Sequence, residues 1–351
     1  MNRFWSNTIR NISPYIPGEQ PRDKKYIKLN TNENPYPPSQ RVLDAIRLEV
    51  TGDVRLYPDP EAVGLKTALA GFYGLRAEEV FVGNGSDEVL AFCFPAFFNP
   101  GDTISFPEIT YSFFPVYAEL FGVKCKTAPL NDDFSVSAEN FPPDAGIILA
   151  NPNAPTGMAI GLDQVEILLN RFSQSLVIVD EAYIDFGAQS AVPLINKYEN
   201  LLVVQTFSKS RCMAGLRVGY AMGNPGLVEG LERVKNSFNS YTLDRIAQKA
   251  AAAAVEDREY FTETCQRIIN TRENTAVGLM ELGFKVLPSK SNFLFAAHEK
   301  IPGEALLFKL REAGILVRHF KKPEIENWLR ISIGTEEEME IFIEKLKDIM
   351  I

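Results

Sequence analysis

The 351-residue sequence predicts an α/β protein: a large three-layer α/β/α domain on a mostly parallel sheet, joined to a smaller α/β domain. Three observations carry this reading. Short apolar runs alternate with longer segments of helical period over most of the chain. A chain of this length exceeds the roughly 250 to 300 residues at which a single core stops growing. The character then changes near Asn224, beyond which a long helical stretch dominates.

Taken in order, a polar, proline-marked arm runs to about Pro38. Candidate strands follow at EVFVG (79–83), DTISF (102–106), KCKTA (124–128), GIILA (146–150), SLVIVD (175–180), LLVVQT (201–206) and RVGYAM (217–222). Helix-like stretches between them cover 86–94, 111–121 and 162–172. Pro95 is expected to end or kink the first, because proline lacks an N–H and its ring crowds the preceding turn. The stretch 244–283 reads as a domain-bridging helix pair, and its AAAAA tract at 250–254 is a strong helix former. Beyond it lie FKVLPSKSNFLFAA (284–297), a helix over 302–313, the strands GILVRHF (314–320) and WLRISIG (328–334), and a terminal helix over 335–351. The expected division is therefore an arm over 1–38 that joins the small domain, a large domain over 39–240 and a small domain over 241–351.

Lys and Arg total 36 against 45 Asp and Glu, a net charge of −9. That balance argues against nucleic acid, which needs a basic face, while leaving room for a local anion pocket. Cys93, Cys125, Cys212 and Cys265 show neither pairing nor metal-ligand spacing, and the histidines are His298 and His319 alone, so no metal site is expected. Such cysteines read as small buried hydrophobes in a reducing compartment. The N-terminus has no apolar signal core and no apolar run reaches ~18 residues, so a cytoplasmic protein with no membrane partner is expected.

In open α/β sheets ligands bind outside the carboxyl ends of the strands. There this chain places NGSDE (84–88), NPNAPTG (151–157), Asp180 with EAY behind it, and Thr206, Ser208 and Lys209. Gly85 and Ser86, opening a helix, offer unpaired backbone N–H groups to an anion, although Ser86 or Asp87 would also serve as an ordinary N-cap. GNGSDE is not GxGxxG and SKS lacks the glycines of a P-loop, so a nucleotide reading fails on spacing. Lysine is costly to bury and shifts its pKa readily, which makes Lys209 a candidate amine nucleophile. A lysine amine, an anion-binding helix start and an acid closing the apolar run LVIV together suit pyridoxal 5'-phosphate. The amine forms a Schiff base with the aldehyde, and the carboxylate keeps the ring nitrogen protonated as an electron sink.

These residues resemble the fold type I, aspartate aminotransferase-like pyridoxal phosphate enzymes, and among them the histidinol-phosphate aminotransferases. The resemblance covers most of the chain through ordered motifs: LNTNENPYPPS (29–39), RLYPDP (55–60), GNGSDE (83–88), Tyr111 in PEITYSFF, NPNAPTG, DEAYIDF (180–186), TFSKSRCMAGLRVGY (206–220) and LRISIGT (329–335). It implies that Lys209 holds the cofactor and shuttles the reacting proton, that Asp180 pairs with the ring nitrogen, that Tyr183 bonds the 3' oxygen, and that Tyr111 stacks on the ring. The phosphate would be held by the backbone at Ser86 and Asp87 beside Gly85, by Thr206, Ser208 and Arg217, and by Tyr57 of a second subunit in an obligate homodimer, with the arm also contributing to the dimer contact. Arg330 would bind the substrate carboxylate. Arg318, Tyr15, Asn239 and Tyr241 would line the end where substrates differ. The implied reaction converts L-histidinol phosphate and 2-oxoglutarate into imidazole acetol phosphate and L-glutamate.

One departure stands out: Ala154 occupies the place where the family's motif usually has an Asn that bonds the 3' oxygen, with Asn153 one position earlier. Three rivals share the cofactor. They are a threonine-phosphate decarboxylase, a broad aromatic aminotransferase, and a cofactor-sensing regulator, for which the chain has no spare DNA-binding segment.

Overall fold

A computed structural model describes residues 3–21 and 23–350. Two sheets organise it. The larger contains β2 (Val80–Gly83), β3 (Thr103–Pro107), β4 (Lys124–Ala128), β5 (Gly146–Ala150), β6 (Val177–Asp180), β7 (Leu201–Thr206) and β8 (Gly219–Gly223), in the spatial order β2-β8-β7-β6-β5-β3-β4. Pairing is parallel from β7 to β4, while β8 runs antiparallel to both β7 and β2.

Successive strand residues point to opposite faces, and both faces are covered. Val177, Val179, Leu201 and Val203 pack into one apolar core, whereas Ile178, Leu202 and Val204 pack into another on the opposite side. This is the three-layer arrangement. Helix Arg245–Glu256 packs Ala247, Ala250, Ala251 and Ala254 into the first core, where small side chains permit close approach. The helix pair predicted over 244–283 is present, broken at Asp257, whose side chain caps the second helix, Arg258–Glu281, at the Tyr260 N–H.

The second sheet orders β1 (Ile27–Leu29), β11 (Ile315–His319), β12 (Trp328–Ser332), β10 (Phe293–His298) and β9 (Phe284–Val286) as β1-β11-β12-β10-β9. The arm thus supplies an edge strand, paired parallel to β11. In the β11–β12 register Arg318 lies opposite Arg330.

Two local limits are corrected. The helix starting at Ser86 runs past the predicted limit of 94 to Phe97, with Pro95 inside its last turn and not at its end. Proline there removes one bond in the last turn, and the Phe98 N–H to Phe94 carbonyl bond (2.9 Å) closes the turn beyond it. The helix predicted from Tyr111 begins at Phe114, leaving Tyr111 in the preceding turn with its ring directed into the site described below.

Candidate active site

The carboxyl ends of β5, β6 and β7 open into a cavity of ≈ 300 Å³, walled from above by the arm and by β11 and β12. Among its lining residues are Tyr15, Ser86, Asp87, Tyr111, Asp180, Tyr183, Thr206, Ser208, Lys209, Arg217, Arg318 and Arg330. These come from eight separate stretches of sequence that the fold brings to one place.

Lys209 follows β7 and is half-buried, its Nζ 3.3 Å from the Thr31 carbonyl and 5.7 Å from the centre of the Tyr183 ring. Desolvation brings its pKa down to about 8; Arg330 adds to the fall, and Asp87 opposes it. Asp180 ends β6, is 5 % exposed, and accepts one hydrogen bond, from the Ala182 N–H (3.2 Å). Burial raises its pKa to about 7. A buried carboxylate so thinly partnered suits a cationic group placed in the cavity.

The helix Ser86–Phe97 starts at the rim with Gly85 as its N-cap, and no side chain caps it. Its first N–H groups are therefore donors for an anion. Two glycines shape this corner. A Cβ on Gly219 would lie 2.2 Å from the Ser86 nitrogen, and Gly85, at φ +84°, leaves room for the Arg217 guanidinium, which a Cβ would meet at 2.6 Å. Arg217 reaches Ser208 Oγ (3.3 Å) and Asp87 Oδ2 (3.0 Å); Asp87 Oδ1 in turn accepts the Tyr111 hydroxyl (2.9 Å). Thr206 Oγ1 donates to Ser208 Oγ at 3.1 Å. Backbone N–H groups, two hydroxyls and a guanidinium form a cup matching a phosphate in charge and donor count.

Opposite the cup, Arg318 and Arg330 present two guanidinium groups side by side, a pairing that repels itself until an anion arrives. Arg330 donates to the Asn30 carbonyl (3.0 Å), its buried Nε lacks a hydrogen-bond partner, and burial lowers its pKa. Arg318 donates to the Ile16 carbonyl (3.2 Å) and so ties down the arm, where the Tyr15 ring stacks on Phe113 with centroids 4.7 Å apart.

Ala154 lines the cavity, while Asn153 does not: its amide is engaged with the Ile109 carbonyl (2.9 Å), Thr156 (3.2 Å) and Thr110 (2.7 Å). Asn239 lies outside the lining at the end of helix Pro225–Phe238. Tyr57 is also outside, exposed and stacked on Tyr241 at 4.4 Å. Sequence reasoning passed over Asn30, Thr31 and Asn32, which wall the cavity through contacts with Arg330, Lys209 and Tyr183. Their signal was a polar triplet between the buried Leu29 and the Glu-Asn-Pro of the arm.

A strand-end lysine, an acid on the neighbouring strand and an open helix start define a class, and the sequence matches it: the chain belongs to the aminotransferase class I and II family, whose model matches residues 24–346. Among curated relatives, the histidinol-phosphate aminotransferase of Clostridium acetobutylicum is 54% identical over 349 residues, 99% of either chain. That of Brachyspira hyodysenteriae is 53% identical over 352 residues, covering 100% of this chain and 99% of its own. Among solved structures, histidinol-phosphate aminotransferase from Sinorhizobium meliloti, in complex with pyridoxal-5'-phosphate, superimposes with a TM-score of 0.89 at 26% identity, over 100% of this chain and 98% of that one. A Thermus thermophilus aspartate aminotransferase shares the fold, with a TM-score of 0.85 at 19% identity over 99% and 100% of the chains.

Proposed function

We propose that the chain is a homodimeric, pyridoxal 5'-phosphate-dependent transaminase of histidine biosynthesis, acting in the cytoplasm, that moves the amino group of L-histidinol phosphate to 2-oxoglutarate. The observation that carries the proposal is the meeting of a half-buried lysine of lowered pKa, a buried unpaired acid and a phosphate cup in one cavity. Identity above 50% over the whole length with histidinol-phosphate aminotransferases supports the substrate. It leaves the decarboxylase and the broad aromatic enzyme unfavoured.

When bound, the cofactor supplies an aldehyde for an amine and a ring that accepts electrons. Lys209, with its pKa near 8, releases and regains a proton at Nζ within the working range, and so serves as nucleophile and general acid/base. Asp180 would hold the ring nitrogen, Tyr183 would donate to the 3' oxygen, and Tyr111 would pack on the ring. Gly85, Ser86, Asp87, Thr206, Ser208 and Arg217 would form the phosphate site. Arg330 would take the carboxylate of glutamate, with Arg318 and Tyr15 lining the anionic end of either substrate; Asn239 and Tyr241 lie outside this cavity lining. Tyr57 would complete the phosphate site of the partner subunit. Its 77 % exposure, and the exposed Leu48, Val50, Val54, Leu56 and Phe238, suit a surface that a second copy covers.

The test is to add L-histidinol phosphate to the cofactor-loaded protein and record the absorbance of the bound cofactor. Conversion to the amine form is expected, with no carbon dioxide released from L-threonine phosphate. An unchanged spectrum with histidinol phosphate would sink the proposal.

A further inference from the structure

The Tyr183 hydroxyl can donate one hydrogen bond, and the structure settles where that donor is not spent. Asn32 sits 1 % exposed at φ +54°, wedged between the two sheets. Its backbone N–H reaches Ser332 Oγ at 2.9 Å, Ser332 Oγ lies 2.8 Å from Asn32 Oδ1, and Asn32 Nδ2 lies 3.0 Å from the Tyr183 oxygen.

The directions of these bonds follow from one another. A main-chain N–H only donates, so Ser332 Oγ accepts there; its single hydrogen has no other acceptor among the described residues and, buried from water, goes to Asn32 Oδ1. That bond fixes which end of the Asn32 amide is oxygen. The other end, Nδ2, then donates to Tyr183, whose oxygen accepts. Among the described residues no protein acceptor takes the Tyr183 hydrogen, and Tyr183 is one of the residues that line the cavity.

The rest of the surroundings hold this arrangement still. Asn292, fully buried, donates from Nδ2 to the Asn32 carbonyl at 3.0 Å, and Phe293 meets the Tyr183 ring edge-on at 5.1 Å. Ser332 is 2 % exposed, so water does not compete for its hydroxyl. Ala154, on the cavity wall, has no donor to offer.

We infer that Asn32 and Ser332 are positioning residues that orient the Tyr183 hydroxyl as a hydrogen-bond donor into the cavity, toward the 3' oxygen of the cofactor, and so replace part of what a side-chain amide at position 154 would supply. The inference rests on the cofactor reading proposed above. A donor at the 3' oxygen favours the form of the cofactor–lysine linkage that has lost its proton, so removing the donor raises the pH at which the bound cofactor's absorption band titrates.

The experiment titrates that band in loaded wild-type, Tyr183→Phe, Asn32→Gly, Ser332→Ala and the Tyr183→Phe/Asn32→Gly double variant. Glycine suits the positive φ of position 32, and Ser332→Ala leaves the arm's sequence untouched, so the second carries the test should the first not fold. The expected result is a midpoint raised by about 1 pH unit in Tyr183→Phe and by about 0.5 unit in Asn32→Gly, with a smaller rise in Ser332→Ala. The double variant should match Tyr183→Phe alone, because the amide acts through the tyrosine. Midpoints unchanged in Asn32→Gly and Ser332→Ala beside a raised one in Tyr183→Phe, or additive shifts in the double variant, would overturn the inference and leave the proposed function standing. An unchanged midpoint in Tyr183→Phe would overturn the inference together with the role proposed for Tyr183.

Discussion

Asp180 illustrates what a single residue stores in this site. Its ordinary value of 3.8 is raised to about 7 by burial. Between those values the folded, cofactor-free protein keeps a proton that the unfolded chain has released, so this residue's contribution to stability falls as pH rises through the window. In cofactor-free protein, Asp180→Asn is expected to raise the denaturation midpoint relative to wild type at pH 8, with the gain vanishing near pH 4. If Asp180 holds the ring nitrogen as proposed, the same substitution is expected to cost ~100-fold or more in transamination, since a neutral amide does not keep that nitrogen protonated. Position 154 offers the converse test. Ala154→Asn places a donor on the cavity wall and should keep activity while lowering the titration midpoint of the bound cofactor by about 0.5 to 1 pH unit; an unmoved midpoint would show that position 154 does not face the ring. Lys209 and Asp180 are legible in the sequence because each ends or follows an apolar run, and Arg217 through the motif it shares with the resembled family. Asn32 is not, because its partners Tyr183 and Ser332 lie 151 and 300 residues away and no local period marks it.

At the scale of elements, β8 and the helix Ser86–Phe97 meet with no side chain between them, at Gly219. A Cβ there would collide with the Ser86 nitrogen and push the helix start away from the proposed phosphate site. Gly219→Ala is expected to destabilise the fold by roughly 1–3 kcal/mol and to loosen cofactor binding, read by denaturant midpoint and cofactor release. The nine strands named from sequence, seven in the large sheet and two in the small, are present within a few residues of their predicted limits, because all but the exposed edge strand β4 are mostly apolar or alternate. The three-residue β1 escaped notice, since its ladder with β11 owes its existence to tertiary pairing. The helix over 63–73 escaped too. Its Gly64 and Gly71 blur the helical pattern, and burial of Leu65 and Leu69 sustains it.

The whole molecule is read as half of an assembly. If Tyr57 completes the partner's phosphate site, Lys209→Ala and Tyr57→Phe subunits complement each other in a mixed dimer, one site of which is intact. Random exchange makes half the dimers mixed, so about a quarter of wild-type activity should return at limiting cofactor, from two poorly active parents. No recovery after verified subunit exchange would place Tyr57 outside the partner's site.

The contacts of Asn30, Thr31 and Asn32 also set an order of events in the cell. Synthesis delivers these residues first, and their partners Arg330 and Ser332 arrive 300 residues later. Until then β1 has no β11 to pair with, Lys209 faces an unfixed carbonyl, and Tyr183 an unfixed amide. A ribosome that stalls or stops short of Ser332 therefore releases a chain whose lysine is present but unarmed. The pocket around Lys209 is therefore completed only by residues made some 300 positions after those that begin it.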